Sequence, residues 1–271
     1  MPSIVANGTE LFYTSSGTSS IPVVMVHGSW GDHHNWAAVA PALAERFQVV
    51  TYDRRGHSRS PRPSTQGSQL EDAKDLAALI EGLGPAPAHV VGNSSGAATA
   101  LRLASVRPEL IRTLVAHEPP LFGLLADDPA MREPLAAVSD RVGKVVELLR
   151  AGDDDAAARL FVETVAIGPG GWDMLPPEAR ATFVANAPTF LDEQRDPGGM
   201  TLDLDALARF TRPTLLSRGG KSPPFFPAVV ARIARALPHA EQHLFAGAGH
   251  VPHATHSREY VAVVSEFIGR G

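Results

Sequence analysis

The chain has 271 residues, 44% of them hydrophobic, and so has enough apolar surface for one large α/β domain or a domain with an insertion. Its 24 basic and 29 acidic residues give a formal charge of −5 without long runs of one sign. This argues against nucleic acid as a partner, because nucleic-acid binders usually carry a concentrated basic patch. The absence of cysteine excludes disulfides, thiolate metal sites and cysteine nucleophiles.

Neither a targeting segment nor a membrane span is evident in the sequence. Residues 1–8 lack the basic start and the long apolar core of a signal peptide. No apolar run approaches the roughly 20 residues that a spanning helix needs. We therefore expect a cytoplasmic protein that does not bind membranes.

Short β-branched runs alternate with alanine- and leucine-rich stretches through the first 120 residues and again after residue 212. This alternation favours a mostly parallel sheet covered by helices. The predicted strands lie at 22–26, 47–52, 89–91, 112–116, 214–217 and 242–245. The predicted helices lie at 36–46, 70–83, 97–106, 225–237 and 258–268.

Residues 121–212 have a different character. They carry helical patterns, for example at 138–149 and 156–165, with only weak strand signals between glycine- and proline-rich loops. We therefore predict an inserted helical cap over 121–212. The α/β core would be formed by residues 1–120 and 213–271.

A serine flanked by two glycines follows the third predicted strand, in the sequence GNSSG at 92–96. In a G-x-S-x-G turn the strand ends and a helix begins within a few residues, which exposes the central serine. Glycines stand two residues on either side of Ser94, whereas Asn93 and Ala97 occupy those positions around Ser95. Ser94 is therefore the predicted nucleophile.

The sequence GAGH ends at His250, directly after the last predicted strand. Ligands bind beyond the carboxyl ends of the strands in open α/β sheets, so His250 and Ser94 can converge there. We predict that His250 is the general base, in preference to the nearby His253 and His256. The pair at 33–34 suggests a metal ligand, but no acidic helix or thiolate pattern accompanies it, so we expect no metal site.

A turn after the first predicted strand, with the sequence HGSW at 27–30, can aim a backbone N–H at the space above Ser94. The N–H groups of Ser29 and Ser95 are the predicted oxyanion hole, which would stabilise a tetrahedral intermediate. Trp30 is a candidate substrate contact, although it would equally suit the protein core.

Four segments, HGSW, YDRRGHS at 52–58, GNSSG and GAGH, resemble the α/β-hydrolase family in order and spacing. The resemblance covers both halves of the predicted sheet and implies the α/β-hydrolase fold, a mostly parallel central sheet flanked by helices, here with the inserted cap. It also implies a cofactor-independent enzyme. Asp53 and Arg54 match a structural turn of the family and receive no catalytic role.

The catalytic acid departs from the family pattern. Members commonly carry an aspartate in the loop that here reads SRGGKSPP at 217–224, which holds no carboxylate. A histidine base needs a partner on its second ring nitrogen. Some members, including certain haloalkane dehalogenases and zearalenone-type lactone hydrolases, place the acid after the strand that follows the nucleophile's helix. Glu118 stands at that place and is the predicted acid.

These residues predict a serine hydrolase whose substrate is a small apolar carboxylic ester or lactone. Perhydrolysis and carbon–carbon bond hydrolysis on the same residues remain open, as does a ligand-binding protein with weak turnover. A serine nucleophile disfavours epoxide hydrolysis and dehalogenation, which use a carboxylate. Large apolar side chains of the cap, with Phe122 and Trp172 foremost, are the predicted substrate contacts. The oligomeric state is not evident from the sequence.

Overall fold

The computed structural model describes residues 2–62, 66–84 and 87–271, and within them eight strands form one sheet. The spatial order is β1-β2-β4-β3-β5-β6-β7-β8. The strands are β1 Ser3–Ala6, β2 Thr9–Ser16, β3 Pro22–Val26, β4 Gln48–Tyr52, β5 Ala88–Asn93, β6 Ile111–His117, β7 Thr214–Gly219 and β8 Glu241–Phe245. All pairs from β4 to β8 are parallel, while β1 and β2 join the edge antiparallel.

The sheet confirms the predicted mostly parallel architecture, and the six predicted strands are present with ends that differ by at most two residues. Strands β1 and β2 were not predicted. In β2 the buried residues Leu11 and Phe12 are adjacent instead of alternating, and β1 is mostly exposed. Neither strand therefore shows the period-two pattern by which half-buried strands are recognised.

Twelve α-helices accompany the sheet in the part of the chain that is described, and none of them is long and apolar enough to cross a membrane. Those around the sheet are α1 Ala40–Ala44, α2 Gln69–Leu83, α3 Ser95–Val106, α10 Phe225–Ala236, α11 Pro252–Thr255 and α12 Ser257–Ile268. The predicted helix at 36–46 is split into a 3-10 turn, His33–Trp36, and the short α1, because Pro41 fits only the first turn of a helix.

The central strand β3 shows how the two layers of helices are held on the sheet. Val24 and Val26 belong to a hydrophobic cluster shared with α2, α3 and α10. Val23 and Met25 face the opposite side and pack in a cluster with Trp36 and α12. A strand covered on both faces must be apolar throughout, which explains the uninterrupted run in the sequence.

Between β6 and β7, in a stretch that is described throughout, the chain forms helices joined by loops and no strand. The α-helices are α4 Arg132–Arg150, α5 Asp154–Phe161, α6 Gly171–Met174, α7 Pro177–Asn186, α8 Thr189–Arg195 and α9 Leu204–Leu207, with 3-10 turns at Phe122–Leu125 and Pro129–Met131 and a π-helical turn at Val162–Ala166. Their central part has its own hydrophobic cluster, whereas Leu121 and Phe210, near its two ends, belong to the cluster of the sheet. This helical segment, residues 121–212, is therefore joined to the sheet at both ends, and its limits as a separate domain stay a prediction.

Several histidines are buried in this framework, among them His57, His117 and His253, each at most 2% exposed. Burial lowers the pKa of each of these three from the ordinary value of 6.5 to about 3. The native state therefore holds these rings neutral over a pH range in which the unfolded chain protonates them.

We expect the free energy of unfolding to decrease as the pH falls below about 6.5, and to go on decreasing toward pH 3. In that window the unfolded state binds more protons than the native state, at a cost of up to about 1.4 kcal/mol per pH unit for each histidine. Urea unfolding curves collected between about pH 7.5 and pH 5 measure this slope. A His57→Gln variant should reduce the slope by about one proton, and a stability independent of pH would contradict the expectation.

Candidate functional site

Ser94 lies on a strained turn between β5 and α3. Its φ of 56° and ψ of −125° are unfavourable for a residue with a side chain and cost about 1–3 kcal/mol. The two glycines make the turn possible. A β-carbon at Gly96 would lie 2.1 Å from the carbonyl oxygen of Val26, and one at Gly92 would lie 2.5 Å from that of Gly96. Ser95, by contrast, is the first residue of α3.

His250 and Glu118 are in direct contact. The Nδ1 atom of His250 donates to Oε2 of Glu118 over 2.8 Å. Glu118 follows β6, is fully buried and has a φ of 45°, so the backbone turns sharply at the residue that carries the carboxylate. The other carboxylate oxygen, Oε1, accepts the backbone N–H of Gly219 over 2.7 Å. The last residue of β7 thus supplies a donor to Glu118, although the predicted loop at 217–224 has no acid of its own.

The surroundings of Glu118 keep its carboxylate ionised. Burial alone would raise the pKa of Glu118, but the hydrogen bond from His250, together with the Gly219 N–H, holds it below its ordinary value. The buried His117 is also nearby, with its Nε2 atom 3.7 Å from Oε2 of Glu118. An ionised Glu118 holds the proton of His250 on Nδ1, which leaves Nε2 free to act as a base.

Ser94 and His250 line one cavity of about 630 Å³, which lies between the sheet and the helical segment 121–212. Its wall is mostly apolar. The aromatic residues of the wall are Phe122, Phe161, Phe183, Phe190 and Phe226. Phe226 stacks on the His250 ring with 4.5 Å between the ring centroids, which restricts the orientation of the imidazole.

The predicted oxyanion residues Ser29 and Ser95 border the same cavity. The turn that carries Ser29 passes close to the nucleophile, since a β-carbon at Gly28 would lie 3.2 Å from the β-carbon of Ser94. The N–H of Ser95 belongs to the first turn of α3, where backbone donors have no partner within the helix and the helix dipole favours negative charge.

Of the three predicted substrate contacts, Phe122 lines the cavity, whereas the structure places Trp30 and Trp172 elsewhere. Trp30 is fully buried and stacks on Phe161 with 4.7 Å between the ring centroids, and Trp172 is 6% exposed within the same cluster. Both indole rings fill the interior of the helical segment. The predicted contact with substrate is corrected to a packing role for these two residues.

Two polar residues of the site were not predicted. Asn93 orients its amide so that the nitrogen donates to the His250 carbonyl at 3.3 Å and to Nδ1 of His253 at 3.2 Å. Glu193 reaches the cavity from α8 and accepts the hydroxyl of Ser29 over 2.5 Å. Asn93 stands inside the GNSSG motif and could have been suspected from that position. No signal in the sequence distinguishes Glu193 from other helical glutamates.

Within the described residues, two groups of side chains have the composition of metal ligands. One is the contact of His117, Glu118 and His250 described above. The other joins Asp32, His33 and His34, close to the cavity. Hydrogen bonds account for its geometry: Asp32 caps the 3-10 turn by accepting the His34 N–H, and His33 donates its Nδ1–H to Asp53 over 2.7 Å.

Comparison with known proteins agrees with this architecture. The chain is 28% identical over 268 residues to an sn-1-specific diacylglycerol lipase of Mus musculus, covering 93% of this chain and 82% of the lipase. It is 40% identical over 120 residues to the uncharacterized hydrolase YraK of Bacillus subtilis (strain 168), a match that spans only 44% of either protein. An alpha/beta hydrolase structure from Sphaerobacter thermophilus DSM 20745 superimposes with a TM-score of 0.75 at 26% identity, covering 98% of this chain and 100% of the other.

The family predicted from the four segments is confirmed at the level of the whole sequence. The model of the alpha/beta hydrolase family matches the chain from β3 to α12. This range includes Ser94, Glu118, His250 and the helical segment between β6 and β7. With residues 23–263 matched, the chain belongs to the alpha/beta hydrolase family.

Proposed function

We propose that this protein is a cofactor-independent serine hydrolase that cleaves a carboxylic ester or lactone, with Ser94, His250 and Glu118 as its catalytic triad. The observation that carries the proposal is the 2.8 Å hydrogen bond between His250 and the buried Glu118, beside the cavity into which the strained Ser94 opens. A binding protein with no turnover would not require a buried carboxylate held on the histidine.

The reaction follows from the atoms at the site. The Oγ of Ser94 attacks the carbonyl carbon while Nε2 of His250 takes its proton. His250 then gives that proton to the departing alcohol oxygen as the carbon–oxygen bond breaks, which leaves an acyl group on Ser94. A water attacks this acyl group with His250 again as base, and the carboxylic acid departs as Ser94 recovers its proton. Glu118 stabilises the imidazolium formed in each step.

The negative oxygen of each tetrahedral intermediate would be held by the backbone N–H groups of Ser29 and Ser95. Such donors contribute about 2.7–4 kcal/mol each to the transition state in acyl transfer. Support comes from the closeness of Gly28 to Ser94 and from the position of Ser95 at the start of α3.

We propose that the helical segment 121–212 is a cap that selects an apolar acyl chain or ring. The cavity of about 630 Å³ is large enough for a substrate bigger than an acetyl ester, and the cap contributes most of its aromatic wall. The similarity to a lipase that acts on diacylglycerol supports a substrate with an apolar chain.

The experiment that tests the function is removal of the nucleophile. Ser94→Ala should lower ester turnover by several orders of magnitude without changing the unfolding midpoint, because only oxyanion and binding effects remain. The parent protein should react rapidly with a fluorophosphonate, and mass spectrometry should place the adduct on Ser94. Ser95→Ala is the matched control and should still be labelled. Equal turnover in Ser94→Ala and the parent would refute the assignment.

Glu118→Gln tests the unusual position of the acid. The amide can still accept the Gly219 N–H, but it cannot stabilise an imidazolium, so we expect kcat to fall by about 10⁴-fold. Circular dichroism and urea unfolding check that the variant is folded. A kcat within about tenfold of the parent would show that another group orients His250.

The predicted selectivity is tested with a series of 4-nitrophenyl esters. We expect kcat/KM to rise from acetate to longer acyl chains, by up to about 1–3 kcal/mol for each well-placed apolar group. Phe122→Ala should reduce kcat/KM for the long esters more than for the acetate, because the ring lies in the cavity wall. A preference for acetate or for charged esters would contradict an apolar substrate.

A further inference from the structure

A carboxylate of the cap reaches into the site and touches both turns of the proposed oxyanion hole. Glu193, on α8, accepts the Ser29 hydroxyl on Oε2 over 2.5 Å. Its other oxygen, Oε1, lies 3.4 Å from the Ser95 hydroxyl. Ser29 and Ser95 stand 66 residues apart in the sequence (95 − 29) and follow different strands. Glu193 is the residue that bridges their two side chains.

The direction of the Ser95 hydroxyl is set by a neighbouring amide. Thr99 donates to Oε1 of Gln69 over 3.0 Å, which fixes the orientation of the Gln69 amide. The amide nitrogen then donates to Oγ of Ser95 over 2.6 Å. Oγ of Ser95 thus accepts a hydrogen bond from Gln69, and the hydroxyl proton of Ser95 is free to point toward Glu193.

Glu193 is itself held in place by a buried charge. Arg54, which is 2% exposed, donates from Nη2 to Oε1 of Glu193 over 3.1 Å and to Asp72 over 2.6 Å. A carboxylate suits this position, since it accepts several hydrogen bonds at once and forms an ion pair with the guanidinium. The ion pair fixes the Glu193 oxygens relative to the core of the protein.

A second contact between the cap and the turn that carries Ser29 is made by the next residue, Trp30. Trp30 has a φ of 67°, and its ring is enclosed among the cap aromatics Phe161 and Phe190. The chain around Ser29 is thus held by a hydrogen bond from its own side chain and by the packing of the next residue, and both contacts are to the cap.

We propose that Glu193 is a positioning residue that sets the two oxyanion turns, so that seating of the cap and formation of the oxyanion hole are one event. The inference rests on the proposed function, because it concerns the same acyl transfer at Ser94. Glu193 acts through Ser29 and Ser95 and takes no part in proton transfer.

Glu193→Ala separates this role from ordinary cap stability. We expect kcat to fall about 10- to 100-fold with little change in KM, since a displacement of catalytic groups by about 1 Å costs on the order of 100-fold. The inhibition constant of an apolar trifluoromethyl ketone, whose adduct with a serine places an oxyanion in the hole, should rise by the same factor. Loosening of the cap alone would instead raise KM.

The chain offers a matched control in the preceding residue. Asp192 also joins α8 to the core, through an ion pair of 3.1 Å with Arg62, but this pair lies on the exposed side and its contacts do not include Ser29 or Ser95. Asp192→Ala should therefore keep kcat, KM and the inhibition constant close to those of the parent.

Ser29→Ala removes the hydrogen bond between Ser29 and Glu193 by deleting the serine hydroxyl, and it keeps the backbone N–H of residue 29. We expect Ser29→Ala to lower kcat, and the double variant with Glu193→Ala to resemble Glu193→Ala alone, because the two changes break one interaction. If Glu193→Ala does not fold, the effect of Ser29→Ala on kcat and on the ketone still decides the question.

Several outcomes would overturn the inference. One is that the losses of kcat in Glu193→Ala and Ser29→Ala add up in the double variant. Another is that Asp192→Ala loses as much kcat as Glu193→Ala. A third is that the inhibition constant of the ketone is unchanged in both Glu193→Ala and Ser29→Ala. Failure of the proposed function itself is distinguishable, because the parent protein would then neither bind the ketone nor label at Ser94.

Discussion

The fully buried carboxylate of Glu118 is the constraint on which the rest of the site depends. An ionised carboxylate removed from water is costly unless charged or polar partners compensate it. Here the compensation comes from the His250 ring and from the N–H of Gly219. Gly219 is the last residue of β7 and His250 lies in the loop after β8, so the carboxylate fixes the spacing of three strand ends. The orientation of the His250 ring follows from this arrangement.

Much of the fold and part of the site could be predicted from the sequence, because their signals are local. The buried strands appear as uninterrupted apolar runs, and the turn at Ser94 appears as two glycines at a fixed distance from a serine. Glu118 could be proposed because the loop at 217–224 lacks an acid and because the resemblance to the α/β-hydrolase family implies a second place for it, after the strand that follows the nucleophile's helix. The strand and turn signals depend on neighbours in the chain, so a single sequence contains them.

What could not be predicted depends on contacts between distant residues. Trp30 and Trp172 are large aromatic residues of the kind that line cavities, and only their packing in the helical segment 121–212 shows that they fill its interior. The position of Glu193 depends on Arg54, which lies 139 residues earlier in the chain. Strand β2, the second from the edge of the sheet, lacks alternation, so its pairing with β4 is not evident from its own residues.

The residues with strained backbone conformations lower the stability of the fold, and most of them lie at the candidate site. Within the described residues, positive φ occurs at five non-glycine positions, and three of them, Trp30, Ser94 and Glu118, follow strands at the cavity end of the sheet. Each such conformation costs about 1–3 kcal/mol and persists only where the surroundings enforce it. Trp30 is held by aromatic residues of the helical segment 121–212, Ser94 by the close packing of α3 on β3, and Glu118 by its two hydrogen-bond partners. Because the helical segment 121–212 enforces one of the three conformations and the elements of the sheet layer enforce the others, the geometry of the site depends on both parts of the chain being in place.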